Sequence, residues 1–262
     1  MEHADTTGQA RPAGPEPRRV LVTGASRGIG RAVALAFAGV GDRVAIHHRD
    51  SAEQARSVLA EAPGGDHVVF RADLADPEAT RRMVDGAAAA LGGLDVVVNN
   101  AGIYLPHEVS SGTYGQWREV WGTTLAVNLL GPANVIWSAL AHMGKGGRIV
   151  NVSSRGAFRG EPDAPAYGAS KAALNALSQS LAVALAPAGV AVTAVAPCFV
   201  DTDMTSDHLS GPRGPAVRAQ SPFNRVALAE EVAAAVLWLA SPEAEFCSGA
   251  ILDINGASYL RT

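Results

Sequence analysis

Tyr167 and Lys171 stand four residues apart in "AYGASKAALNAL" (166–177), at the head of a run with no further charge until Asp201. A free tyrosine titrates at about pH 10, so its phenol serves as a proton donor or acceptor near neutrality only beside a positive charge that stabilises the phenolate. On a helix, residues four apart share a face with their Cβ atoms about 5–6 Å apart, which brings the Lys171 ammonium within reach of that phenol. The chain has two lysines, the other being Lys145, against nineteen arginines. A compact ammonium on a flexible stem can bind a ligand hydroxyl and still bias the phenol, which a broad planar guanidinium does less well.

Such a helix needs a fold that delivers its first turn to a ligand. From Arg18 onward, short β-branched runs alternate with Ala-rich stretches, which predicts a single doubly wound α/β domain of Rossmann type, a parallel seven-stranded sheet with helices on both faces. Strands are predicted at 18–24, 43–48, 67–72, 94–100, 147–153, 190–196 and 250–254. Helices are predicted at 28–39, 51–62, 77–91, 114–142, 165–186 and 229–240, the longest of which must kink or divide at Pro132. Residues 197–228 are rich in Gly, Pro and Ser and read as a substrate lid, while 1–17 read as a disordered leader before the domain at 18–262.

Composition excludes several functions. The net charge is −4 and the arginines are scattered, which leaves no basic face for nucleic acid. No stretch of eighteen apolar residues free of turn signals suggests a membrane span, and the N-terminus lacks the apolar core of a secretory signal. Cys198 and Cys247 are too few for a metal cluster or a disulfide framework and fit a reducing cytoplasm; no metal is expected.

The first predicted strand runs into "TGASRGIG" (23–30) and then a helix. Gly24, Gly28 and Gly30 allow a tight turn and a close approach of backbone to a phosphate, and the helix N-terminus offers free N–H groups to the anion. The second strand ends "AIHHRDS", with His48 where an acid would accept from the ribose hydroxyls of NAD, and Arg49 next to it. Arg49 and Arg27 favour a 2′-phosphate, so the expected cofactor is NADP(H). Asp50 is the alternative ribose partner and keeps NAD(H) open.

With "NNAG" (99–102), Asn128 in "VNLLGP", Ser154 in "NVSS" and Tyr167-x-x-x-Lys171, these motifs stand in one order along a chain that resembles the short-chain dehydrogenase/reductase family from Arg18 to about Ala257. It resembles in particular the single-domain ketoreductases, including 3-oxoacyl-acyl-carrier-protein reductases. The resemblance implies Tyr167 as general acid/base, Ser154 as the donor to the substrate oxygen, and Asn128 behind Lys171 in a proton relay. Ser153 competes with Ser154, but strand alternation puts the two on opposite faces and the family spacing selects Ser154. The resemblance also places Ser26 and Ile29 in the cofactor turn, Asp73 and Leu74 beside the adenine, Asn100, Ala101 and Gly102 along the dinucleotide, and Pro197, Val200 and Thr202 around its carboxamide and a phosphate. Cys198 departs from the family's glycine after that proline and reads as a small side chain tolerated there.

The implied reaction interconverts a ketone and a secondary alcohol. An NAD-dependent alcohol dehydrogenase is the nearest alternative, and a non-catalytic dinucleotide sensor would be expected to carry a broken Ser/Tyr/Lys set. The pocket is expected to be lined by Tyr104, Leu105, Phe158, Phe199 and Met204, which favours a small-molecule ketone with an apolar body. Arg155, Arg159 and His107 are expected at the surface, with a carboxylate grip as the lesser reading. The tyrosine-bearing helix lacks the cation that would receive a carrier protein, leaving Lys145 and Arg148 as the nearest candidates. Its uncharged outer face predicts cover by another subunit, and the resemblance implies a homodimer or homotetramer.

Overall fold

The computed structural model describes residues 16–110, 112–203 and 205–261, so all but the last two residues of the expected leader, and Met204 of the expected pocket, lie outside the described residues. The β-branched runs form β1 (Arg19–Val22), β2 (Arg43–His48), β3 (Val68–Arg71), β4 (Leu94–Asn99), β5 (Met143–Val152), β6 (Ala191–Pro197) and β7 (Ile251–Ile254). Among the described residues these make one parallel sheet in the order β3-β2-β1-β4-β5-β6-β7.

Side chains alternate across the sheet, so each strand feeds two cores. Val20, Val22, Val96 and Val98 pack with α1 (Gly28–Gly39), α2 (Ala52–Glu61) and α10 (Ala229–Leu239) on one face. Leu21, Leu94, Val97 and Ile149 pack with α3 (Pro77–Leu91), α5 (Gly131–Leu140) and α7 (Pro165–Leu185) on the other. Phe37, Leu21, Ile46 and Ile136 are fully or almost fully buried, each contributing about 1.5–3 kcal/mol of transfer free energy. Helix ends follow local chemistry: the Asp76 carboxylate accepts from the Glu78 and Ala79 amides at 2.9 and 3.1 Å ahead of Pro77, and Gly92, with φ 82°, closes α3 in the left-handed region.

The expected helix at 114–142 divides. Its first part, α4 (Tyr114–Leu125), opens on a capping box between Thr113 and Gln116 and passes into a π-helical turn, Ala126–Leu130, before α5. Pro132 has no N–H to offer the Asn128 carbonyl four residues back, and the Gly131 amide instead reaches five residues back to Ala126. After β5 come a single turn, α6 (Gly156–Arg159), and then α7. After β6 the Gly/Pro-rich segment holds two short helices, α8 (Ser206–Ser210) and α9 (Gly214–Arg218), and returns to the sheet through a bridge between Val200 and Ala227. Strands β2 and β3 extend the sheet to one side of β1, and β4 to β7 extend it to the other. The chains leaving β1 and β4 therefore part at their C-terminal ends, which is where an open α/β sheet forms a crevice.

Candidate active site

A cleft of about 700 Å³ lies over that parting. All the residues predicted to hold a dinucleotide, from Gly24 to Thr202, line it, as do Ser154, Tyr167 and Lys171. The crevice is locked by hydrogen bonds between the two diverging chains. Asn100 Nδ2 donates to the carbonyls of Thr23 and Gly24, both at 3.0 Å, and Thr23 Oγ1 accepts from the amides of Asn100 and Ala101 at 3.0 and 3.1 Å. This closeness leaves no room for side chains: a Cβ on Gly24 would stand 2.9 Å from Ala101 Cα, and one on Gly30 would overlap both the Gly24 carbonyl and the Asn100 amide.

The N-terminus of α1 has no side-chain cap, since Arg27 at that position has no acceptor to offer, and its first turn holds no acidic residue, so the amides are left for an anion in the cleft. His48 is buried in the cleft wall with no partner for Nδ1. Burial and the cation of Arg71 hold the His48 pKa below the usual imidazole range. Arg49 binds the Asp50 carboxylate at 2.6 Å, and Arg71 lies 3.8 Å from the same group while donating to the Arg49 carbonyl at 3.0 Å. A glycine cradle, uncapped helix amides, an orphaned imidazole nitrogen and adjoining arginines suit the pyrophosphate and phosphate groups of a dinucleotide.

His47, which no motif singled out, secures this half of the site. Its Nδ1 accepts from the Gly24 amide at 3.0 Å and its Nε2 donates to the Ala72 carbonyl at 3.1 Å, so one buried neutral ring joins the ends of β1, β2 and β3. Burial pushes its pKa down to about 4.

The reacting groups converge from three elements. Just past the end of β5, Ser153 Oγ donates to the Lys171 carbonyl at 3.2 Å, and Ser154 lines the cleft with Tyr167. Lys171, one turn along α7, is buried with Nζ 5.9 Å from the Tyr167 ring centroid and donates to the Val152 carbonyl at 2.7 Å. Burial pushes the Tyr167 pKa up to about 12, an effect the Ser154 hydrogen bond opposes, and pulls that of Lys171 down to about 8. The phenol therefore stands protonated at neutral pH, a loaded acid. Asn128 lies behind the lysine, outside the cleft lining. Its Oδ1 accepts from the Ile103 amide at 2.8 Å, and its Nδ2 donates to the Ile103 carbonyl and to Ser170 Oγ at 2.9 and 3.1 Å. A Cβ on Gly102 would stand 3.4 Å from both Asn128 Oδ1 and Lys171 Nζ, so the three residues meet there.

The substrate end is more polar than expected. Tyr104 lines it, with its ring edge-on to Tyr167 at a centroid distance of 5.1 Å, and so does Phe199. Leu105 and Phe158 do not line the cleft, the latter being covered by Arg261 at 4.2 Å from its ring. Arg155, expected at the surface, is 5% exposed, donates to Ser258 Oγ at 2.8 Å and lies over the Phe199 ring. Arg159 is exposed and binds Gln220 at 2.8 Å, and Arg213 lies 3.7 Å from Asp163, so the α8–α9 segment is tied to the loop before α7. His107 is half-buried, donates from Nδ1 to the Leu105 carbonyl at 2.9 Å and packs edge-on against Trp117. Arg148, one of the two cations considered for a carrier protein, is buried in an ion pair with Glu245 at 2.8 Å. Cys198 is a free, half-buried thiol, raised in pKa by burial.

Comparison with known proteins gives this arrangement a context. Residues 24–257 match a family model described as enoyl-(acyl carrier protein) reductase. The 3-oxoacyl-[acyl-carrier-protein] reductase FabG of Staphylococcus aureus is 37% identical over 247 residues, covering 93% of this chain and 98% of that protein. L-rhamnose 1-dehydrogenase (NAD(P)(+)) of Azotobacter vinelandii is 35% identical over 252 residues, covering 93% and 97%. A short-chain dehydrogenase from Burkholderia cenocepacia, crystallised in complex with NADP, superposes with a TM-score of 0.86 at 40% identity, covering 92% of this chain and 97% of that one.

The depressed pKa of His47 has a measurable consequence. Between pH 6.5 and 4 the unfolded chain binds a proton at this ring that the folded protein does not, so this contribution to stability falls as the pH drops through that window. On going from pH 7 to 4.5, the stability gap between wild type and His47→Gln should narrow by about 2 kcal/mol in urea unfolding. A gap independent of pH would show that the ring does not stay neutral in the folded state.

Proposed function

The chain belongs to the short-chain dehydrogenase/reductase family, oxidoreductases of the CH–OH/C=O pair, and we propose that it interconverts a ketone and a secondary alcohol with NADP(H). The observation that carries this reading is that Ser154, Tyr167 and Lys171 line one crevice together, with Lys171 Nζ 5.9 Å from the Tyr167 ring centroid. The dinucleotide, when bound, supplies or accepts the hydride. Ser154 then donates to the substrate oxygen while Tyr167 passes it the proton in reduction or takes it in oxidation. Lys171 holds a positive charge beside the phenol and opposes the build-up of negative charge on it. Asn128 fixes the Ile103 backbone beside Lys171, which suits it to a relay behind the ammonium.

Preference for NADP(H) is supported by Arg27, Arg49 and Arg71 around the end of β2, where Asp50 is engaged by two of them. The Burkholderia relative was crystallised with NADP. Asp50 also lines the cleft, and it is the observation behind the NAD(H) alternative. The α7 face and its surroundings expose Val183, Trp137 and Leu130, at 79%, 71% and 55%, with no charge on α7 beyond Lys171, and a second copy of the chain is the proposed cover. The two free cysteines fit a cytoplasmic enzyme. No helix among the described residues is long and apolar enough to cross a membrane.

Three measurements test this reading. In a fluorescence titration NADPH should bind about 10- to 100-fold more tightly than NADH, and Arg49→Ala should erase most of that margin; tighter binding of NADH would transfer the role to Asp50. Tyr167→Phe should keep the cofactor affinity and lose about 10²–10⁴-fold in turnover of a ketone, and unchanged turnover would remove Tyr167 from the mechanism. Light scattering of the purified protein should give the mass of a dimer or tetramer, against that of a single chain.

A further inference from the structure

Arg155 is a buried charge at the substrate end of the cleft that the proton transfer does not use. Its backbone is fixed where two strands end. The amide donates to the Pro197 carbonyl at 2.8 Å, and the carbonyl accepts from the amides of Phe158 and Arg159 at 3.0 and 3.2 Å. The side chain is 5% exposed, lies over the Phe199 ring and donates from Nη1 to Ser258 Oγ at 2.8 Å. Ser258 reaches it from the turn after β7, where Ala257, at φ 58°, takes a left-handed conformation that costs an alanine.

A guanidinium carries five N–H donors and a full charge. Among the described residues this one meets one neutral hydroxyl and one ring face, and it forms no ion pair with a carboxylate. The other two buried Lys or Arg side chains have their roles: Arg148 pairs with Glu245 at 2.8 Å, and Lys171 stands beside Tyr167 and donates to the Val152 carbonyl. Burial, and after it the charge of Arg159, hold the Arg155 pKa below the usual guanidinium value. Both are penalties on the cation that an anion beside it would offset. Arg159 and Arg213 line the same end of the cleft. Of the carboxylates in the loop before α7, Asp163 lies 3.7 Å from Arg213, and Glu161 acts on Arg155 more weakly than Arg159 does. Three guanidiniums against those two carboxylates favour an anionic group there.

We propose that Arg155 is a specificity-determining residue that binds the carboxylate of a keto acid, so that the enzyme favours keto acids and the corresponding hydroxy acids over neutral ketones. A carboxylate matches the guanidinium in charge, one negative for one positive, and its two oxygens suit the planar fork. This rests on the oxidoreductase reading above and names the substrate class of that site.

The test compares kcat/KM for acetoacetate and 4-oxopentanoate with that for the methyl ester of each, with NADPH at fixed ionic strength, in wild type, Arg155→Gln and Arg155→Lys. The quantity read is the acid-to-ester ratio in each protein, which cancels any loss common to both substrates. For the better acid that ratio should fall about 10- to 100-fold in Arg155→Gln and by less in Arg155→Lys, which keeps the charge without the fork. The wild type supplies a second readout: butanoate should inhibit reduction of the methyl ester competitively, at a concentration about tenfold or more below that needed for butanamide. Should neither variant fold and bind NADPH, this inhibition decides alone. A ratio within about threefold of wild type in both variants, or butanoate no better than butanamide, would overturn the proposal and leave Arg155 a support for the turn at Phe199. A wild-type protein that reduces none of the four compounds would overturn the function proposed above, an outcome distinct from an unchanged ratio.

Discussion

The bonds between Asn100 and the turn after β1 carry the rest of the site. At the parting of β1 and β4 the backbone loses its sheet partners, and one side-chain amide and one hydroxyl replace them. Drawing the two chains together accounts for the glycines at 24 and 30, which face backbone or amide atoms where a Cβ would sit. It also sets Ala101 and Gly102 against the end of β1 and hence against Lys171 and Asn128, whose polar atoms come to Gly102. The cofactor half and the proton-transfer half are thus parts of one hydrogen-bonded junction. His47 extends it sideways to β3.

Electrostatics at the reacting end follow from burial more than from pairing. Taking Lys171 and Tyr167 out of water moves their pKa values toward the neutral form of each, down for the amine and up for the phenol. Glu161 pushes the phenol further in the same direction, while Ser154 pulls against it. The result at neutral pH is a protonated tyrosine beside a lysine that is still largely charged. Helix geometry delivers the two groups to each other, and the surrounding walls decide which form each takes.

The path of the helix before β5 shows one residue acting through the backbone. Pro132 prevents a continuous α-helix, the turn widens over Ala126–Leu130, and Asn128 comes to lie inward against Ile103 and Ser170. A break is legible from the proline, because its missing N–H is a local fact. The π-helical form of the break is not, because it depends on α5 packing against α3 and on Asn128 finding partners across the fold.

The sequence alone determined the seven strands and the longer helices between them, the parallel sheet, the glycine turn and the Tyr167–Lys171 face, since periodicity, backbone freedom and helical spacing act over a few residues; the short helices α6, α8 and α9 were not legible in it. Strand ends moved by one or two residues, and β5 begins four residues earlier than expected, at Met143. Tertiary structure decided what meets across long separations: His47 on Gly24, Arg155 buried against Ser258, Arg148 taken by Glu245, and Leu105 and Phe158 turned out of the cleft. It also decided that a carboxylate enters the substrate end, because Glu161 owes its position to the space left by Gly156 and Gly168, and that space exists only once α6 and α7 have packed together. Short-range rules say which element a residue occupies; its partners and its charge state depend on which loops the fold brings together and how much water they exclude.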